Sequence, residues 1–298
     1  MPSYILTPSE ARQKITDRSV FSFDIETETA APHVGWGTKF GLSYASHPTW
    51  FSAYFSDSQT VVFDMDQTLD DYGEKVVFIR QLFLQDDYLA IAHNASFDLR
   101  MLGGHYDFTL PMGARVWDTQ VMGVRLLVAD ASRTSLKLML ARWGLYSEEG
   151  EFTVALKSGE ENHYKGEAAF LAVMKPYRAK LHLLESQTLL DYVALDSITT
   201  YRLYVEQEKA ARQMARGHYQ KEFAQFDQIR IPHWPELYGE GDATFDFDKW
   251  GLIRWELAVS RWSANAAIRG VKLDVDYAEK RMGEWARERE DEMAKVLA

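Results

Sequence analysis

A chain of 298 residues, 46% hydrophobic and 13% aromatic, can bury a sizeable core and has room for one large domain or one and a half. It contains no cysteine, which excludes disulfides and cysteine-ligated zinc or iron–sulfur sites and leaves oxygen or histidine ligation for any metal. The net charge of −11 argues against a broad nucleic-acid-binding face. With no run of about 18 apolar residues and no basic leader before Tyr4, the expected setting is cytoplasmic, with no membrane.

In chain order, 20–26 reads as a first strand, 40–45 as a second and 61–65 as a third. With no helical pattern between them they suggest an antiparallel meander. The first strand ends in Phe23-Asp24-Ile25-Glu26-Thr27. Side chains two apart on a strand share a face, so Asp24 and Glu26 point into one pocket. Like charges held that close call for a cation, and hard oxygen ligands suit Mg²⁺ or Mn²⁺. Pro32, Gly35 and Gly37 mark a loop directly after this pair. A helix follows over 73–84.

The apolar run 88–92 reads as a buried strand that breaks at Asn94, a favourable helix N-cap, with Asp98 in the first turn of the next helix. A short strand over 115–119 enters another helix through an Asp118 cap. Leu136, Met139, Leu140 and Trp143 form a 3.6-period apolar stripe that belongs to the core. From Arg100 to Arg142 six basic residues (Arg100, Arg115, Arg125, Arg133, Lys137, Arg142) face three acids (Asp107, Asp118, Asp130). Arg133 and Lys137 share a helical face, which is either solvated or a track for a phosphate backbone.

Over 144–183 the pattern weakens to a surface excursion with a helix near 167–174. A long helix then runs to about 205 and carries Tyr192 and Asp196 at i and i+4 on one face. Pro, Gly and acidic residues over 231–248 read as a linker. Beyond it come a helix over 250–268, the sequence Gly270-Val271-Lys272-Leu273-Asp274 and a charged helix from Asp276. Strands followed by alternating helices and strands fit an α/β class: a mixed sheet covered by helices, followed by a helical C-terminal segment.

Asp-x-Glu on a strand, Asn-x-x-x-Asp at a strand-to-helix junction and Tyr-x-x-x-Asp on a late helix, in that order, resemble the three motifs of the DEDD superfamily of 3′→5′ exonucleases. The superfamily divides on a Tyr four residues, or a His five residues, before the last Asp. Tyr192 and Asp191 occupy those places, so the match is to the tyrosine branch. His93 lies beside the second motif and reads as a strand-end residue. The motif wording and the helix over 134–143 further resemble the proofreading domain of family A DNA polymerases over about residues 18–206. In that family a helix ending in Gly-Val-x-Leu/Ile-Asp leads from exonuclease to polymerase.

That resemblance implies a ribonuclease H-like exonuclease domain over 1–230, the linker at 231–248, and at 249–298 the start of a polymerase-like region too short to polymerise. It also implies a proofreading-type exodeoxyribonuclease that uses two Mg²⁺ or Mn²⁺ ions to release 5′-nucleotides from a single-stranded or frayed DNA 3′ end. A DNA polymerase module would be its partner in cis or in trans. Asp24 would bridge the ions, Glu26 and Asp196 would complete the ion that binds the attacking water, and Asp98 would hold the second. Tyr192 would orient the water. Thr27 and Asn94 would contact the terminal nucleotide or fix the site, with helix capping an equal reading for Asn94. One departure concerns the apolar wedge that relatives carry four places after the Glu: here it is Ala30, which leaves His33, Val34 or Trp36 to stack on the last base. A free-standing tyrosine-branch exoribonuclease would share all four carboxylates, and a non-catalytic nucleic-acid or polymerase-binding module is the remaining alternative.

Overall fold

The computed structural model describes residues 4–29, 46–85, 88–106, 116–127, 135–177 and 180–213. The expectations for Ala30, the loop at 32–37, the strand at 40–45, Arg115, Arg133, the linker at 231–248 and the helical segment at 249–298 fall outside these residues.

In chain order the described elements are α1 (Pro8–Lys14), β1 (Val20–Thr29), β2 (Ser46–Phe55), β3 (Thr60–Asp64), α2 (Tyr72–Leu84), β4 (Leu89–Ala92), α3 (Ala95–Tyr106), β5 (Val116–Asp118), α4 (Thr119–Leu127), α5 (Leu136–Trp143), β6 (Glu151–Ala155), β7 (Glu161–Lys165), α6 (Glu167–Met174) and α7 (Ser186–Gln213). Five strands form one sheet in the order β3-β2-β1-β4-β5. β1, β2 and β3 are antiparallel neighbours, and β4 and β5 join β1 in parallel. The mixed sheet agrees with the sequence expectation, but the middle strand of the antiparallel trio is Ser46–Phe55, which the sequence did not mark.

Alternation along β1 sets the layers. Phe21, Phe23 and Ile25 are buried on one face, where they meet Phe78, Ile79, Leu82 and Phe83 of α2 and Leu99 and Leu102 of α3. Phe83 stands edge-on to both Phe21 and Phe23, with ring centroids 5.4 and 5.0 Å away, a geometry aromatic quadrupoles favour. Each such ring contributes about 1.5–3 kcal/mol through burial. The opposite face of β1 carries Ser22, Asp24 and Glu26 and lies under α7, which also crosses β2, β3 and β4. Helices therefore cover both faces.

Helix α1 and strand β2 went unread in the sequence. Helix α1 is short, but Thr7 caps it, its hydroxyl accepting from Glu10 N–H, and Pro8 opens it. Strand β2 contains Pro48, which argues against a strand. Pro48 is tolerated because β3 pairs with β2 only as far as Trp50, and because the β1–β2 register shifts between Glu26 and Thr27. This bulge falls at the end of the acidic pair.

The stretch 144–183 is more than a surface excursion. Strands β6 and β7 form an antiparallel hairpin, and α6 occupies the expected helix position. Val154, Phe170, Leu171, Met174 and Leu184 are buried in a second core with Leu189, Tyr192, Val193 and Leu195 of α7. Arg202 Nη1 donates to both Glu167 oxygens, at 2.7 and 2.8 Å, and Glu167 accepts Ser147 N–H, so α6 is tied to α7. The polar, exposed hairpin hid this core, because its apolar residues come from several short elements rather than from one periodic run.

No described helix is long and apolar enough to cross a membrane.

Candidate active site

The site forms where β4 leaves the sheet. β4 pairs with β1 only over Val20–Ser22 and then turns at Asn94 into α3. Ile25 N–H lies beyond the last of these pairs, and Asp98 Oδ1 accepts from it at 3.1 Å. A helix carboxylate thus continues the hydrogen bonding that the departing strand gives up. Open α/β sheets place ligand sites at such points, beyond the carboxyl ends of parallel strands where connections diverge.

Three carboxylates converge there. Asp24 and Glu26 from β1 and Asp196 from α7 each offer an oxygen, and these atoms all lie within 4.8 Å of one another. All three side chains are half-buried. The donor set is entirely oxygen and fits a hard divalent cation of the Mg²⁺ or Mn²⁺ type. Asp98 stands outside this trio and is deeper, at 3% exposure. Burial pushes its carboxyl well above the usual carboxylate range, and the negative charges of Asp118 and Glu26 push the same way against the Ile25 N–H.

Helix α7 is held in register over β1 by Ser22, whose Oγ donates to the Ser197 carbonyl at 2.7 Å. Ser22 shares a face with Asp24, and Ser197 follows Asp196, so this buried bond lies beside both carboxylates in sequence. Tyr192 sits one turn before Asp196 at 1% exposure, within the second core. Tyr4 OH donates to Asp191 Oδ1 at 2.7 Å, which fastens the N-terminal segment to the residue just before it.

Asn94 adopts φ +65°, a left-handed conformation rather than the extended one of an ordinary N-cap. Its N–H and that of Ala95 donate to the two Asp118 oxygens at 3.1 and 2.9 Å. Asp118 Oδ1 also accepts from Gln120 and Val121 N–H. One carboxylate at the end of β5 therefore caps α3 as well as the expected α4. Burial raises its pKa against those four donors, each of which acts to lower it. The Asn94 side chain is exposed at the turn before α3, and Thr27 is half-buried just past the bulge.

His93 faces a different network. Thr119 Oγ1 gives its proton to the Ala92 carbonyl at 3.3 Å and lies 2.9 Å from His93 Nδ1. The geometry agrees with a strand-end role for His93.

Sequence reasoning missed Asp118 as a shared cap and Lys137 as a neighbour of Tyr192. Lys137 Nζ lies 5.9 Å from the Tyr192 ring centroid and donates to the Leu171 carbonyl at 3.0 Å, so it does not belong to a solvated helix face. The signal for Asp118 was its place at a strand-to-helix junction. Nothing in the spacing marks Lys137.

No family model matches the chain, and neither does any curated protein. Solved structures do. Trypanosoma brucei RNase D matches with a TM-score of 0.50 at 13% identity, covering 89% of this chain and 73% of that one. Escherichia coli RNase D, an exoribonuclease involved in structured RNA processing, matches with a TM-score of 0.50 at 10% identity, covering 89% of this chain and 51% of that one. Brucella melitensis NrnC with bound Mg²⁺ is a looser match, with a TM-score of 0.41 at 17% identity over 66% of this chain and 76% of that one. The fold is the ribonuclease H-like fold, shared with the two RNases D. The likeness to polymerase proofreading domains rests on the motifs alone.

Proposed function

We propose that this chain is a metal-dependent 3′→5′ exonuclease that releases 5′-mononucleotides from a single-stranded 3′ end, with RNA as its favoured substrate. The convergence of Asp24, Glu26 and Asp196 carries this reading, because a strand and a helix far apart in sequence bring three acidic groups within 4.8 Å. Asp24, Glu26, Asp98 and Asp196 would hold Mg²⁺ or Mn²⁺ in the two-ion arrangement the motifs imply. Bound there, the ions supply Lewis acidity toward the scissile phosphodiester.

The chain's own residues do the rest. The carboxylates would fix where the ions, and through them the scissile phosphodiester, sit. Tyr192 aims the attacking water through its hydroxyl. Water oxygen attacks phosphorus and the bond to the leaving 3′ oxygen breaks. The shortened chain keeps a 3′-hydroxyl and the released nucleotide a 5′-phosphate. Thr27 and Asn94 are the proposed contacts to the terminal nucleotide.

RNA is favoured over DNA because the two RNases D described above share the fold at a TM-score of 0.50. The competing reading is DNA proofreading beside a polymerase, with 249–298 as the start of a polymerase region. It is supported by the motif wording and by Gly270-Val271-Lys272-Leu273-Asp274. A non-catalytic binding module would have no use for the carboxylate trio.

The test uses 5′-labelled RNA and DNA strands of one sequence in Mg²⁺ or Mn²⁺. The expected result is a ladder shortening one nucleotide at a time from the 3′ end, faster on RNA. Faster shortening of DNA, especially at mismatched ends, selects the proofreading reading. Cleavage of circular single strands refutes an exonuclease altogether.

A further inference from the structure

We propose that Ser52 is a positioning residue whose buried hydroxyl donates to the Asp24 carboxylate when that carboxylate holds its ion. The inference rests on the reading of Asp24, Glu26 and Asp196 as a metal site.

Ser52 lies on β2, the strand between β1 and β3, directly opposed to Asp24 on one side and to Val62 on the other. Its neighbours Phe51 and Ala53 are buried in the first core, so Ser52 takes the other face of the strand, the one that α7 crosses. There Val62 belongs to the second core and Asp24 to the acidic trio. Ser52 therefore stands at the boundary between the apolar packing under α7 and the carboxylates.

Ser52 is 0% exposed, and among the described residues its Oγ has no hydrogen-bond partner. Ser22, on the same face of the sheet, is equally buried, but its Oγ donates to the Ser197 carbonyl at 2.7 Å. Serine is mostly an exposed residue. Alanine would give α7 the same clearance without burying a polar group that destabilises the fold when unpaired. The hydroxyl therefore calls for a function, and the side-chain acceptor that the register sets opposite it is Asp24.

Cβ atoms of directly opposed strand residues are about 4.5–5.5 Å apart, a gap that a serine Oγ and an aspartate Oδ close by rotating their side chains. A carboxylate accepts at about four lone-pair positions, so one donor adds to whatever else Asp24 engages. Carboxylates that ligate metals are in turn held by hydrogen bonds that fix their direction, and an O–H···O⁻ bond is of the strong, charge-assisted kind. The hydroxyl comes into use once an ion fixes the Asp24 carboxylate.

The test compares Ser52→Ala and Ser52→Cys with the wild-type full chain. It measures calorimetric Mg²⁺ affinity, melting temperature in chelator, and cleavage of 5′-labelled RNA over a Mg²⁺ series. Ser52→Ala is expected to weaken Mg²⁺ binding about tenfold, the lower end of what loss of a bond to a metal-ligating group costs. Its melting temperature in chelator should equal or exceed that of wild type, because the hydroxyl it removes is unpaired there. The Mg²⁺ concentration for half-maximal cleavage should rise by the same factor, with the KM for RNA unchanged. Ser52→Cys, similar in shape but a weak donor, should match Ser52→Ala.

Wild-type Mg²⁺ affinity in Ser52→Ala overturns the proposal. So does wild-type affinity in Ser52→Cys alone, which makes shape rather than the hydroxyl responsible. A melting temperature in chelator clearly below wild type means that the hydroxyl is already bonded in the metal-free protein, to a buried water or a neighbour, and overturns it as well. If the wild-type chain binds no Mg²⁺, the metal-site reading itself fails. That result is distinct from a wild type that binds Mg²⁺ beside an unaffected Ser52→Ala.

Discussion

Replacing Asp24 with Asn should make the metal-free protein more stable while removing its activity. Three carboxylate oxygens lie within 4.8 Å of one another, from Asp24, Glu26 and Asp196. At that separation two unit charges repel by about 0.9 kcal/mol in bulk water and about 3.5 kcal/mol at an effective dielectric constant of about 20. All three groups are half-buried and in reach of solvent, so the screened end applies, about 1 kcal/mol for each pair. Asp24→Asn relieves two pairs and keeps the shape of the side chain, a gain of about 2 kcal/mol. For a domain of this size that is about 4–8 °C in Tm.

The wild-type protein should gain in a different way. Mg²⁺ at about one hundred times its Kd stabilises by about 2.7 kcal/mol through mass action. Melting curves in chelator and in Mg²⁺ separate the two effects: the variant melts higher without metal, shifts little with it, and loses nearly all cleavage. A folded Asp24→Asn protein that melts lower than wild type in chelator, shifts fully with Mg²⁺ and turns over near normally would refute the site.

Tyr192→Phe should slow turnover, with positioning worth up to about 10²–10⁴-fold, and leave nucleic-acid and Mg²⁺ affinity unchanged, whereas His93→Ala should be much milder. The reverse ranking in single-turnover assays would assign the wrong water-positioning residue. Asp118→Ala strips two helix N-termini of their shared cap, and at about 1–2 kcal/mol per cap should cost about 2–4 kcal/mol in urea unfolding; a loss under about 0.5 kcal/mol would show that the four N–H bonds matter little. Asp98 has a raised folded pKa, so its contribution is fully present below the usual carboxylate value of 3.8 and is lost as pH rises through the folded one. Metal-free melting temperatures should therefore fall more with rising pH in wild type than in Asp98→Asn, and equal slopes would refute the assignment.

The acidic trio was legible because each member sits in a spacing that secondary structure converts directly into position. Asp24 and Glu26 share a strand face, and Tyr192 and Asp196 share a helix face. The place of Asp98 apart from the trio was not legible, since it depends on β4 ending before β1 does, and a strand's length relative to its neighbour is a property of the assembled sheet. Strand β2 was missed because Pro48 reads as a breaker until the bulge opposite it is known. The hairpin and second core were missed for a related reason: Phe152 and Phe170 stack at 4.7 Å, but they are 18 positions apart on a strand and a helix, with polar sequence between.

What turns these local patterns into one site is the register of α7 on β1. A helix advances about 1.5 Å and turns about 100° per residue, so a slip of one residue would swing Asp196 away from Asp24. Apolar packing alone tolerates such slips poorly but does not forbid them, because Tyr192, Val193, Ala194 and Leu195 are all buried and any of them presents an apolar surface. The Ser22–Ser197 bond is directional and lies in the protein interior, where leaving its donor unmade costs about 1–3 kcal/mol. Arg202 on Glu167 and Gln207, which accepts from Trp117 Nε1 and donates to the Thr119 carbonyl, repeat this fixing one and three turns further along α7. Polar contacts thus set the register and the two cores supply the energy that holds the mutually repelling carboxylates together.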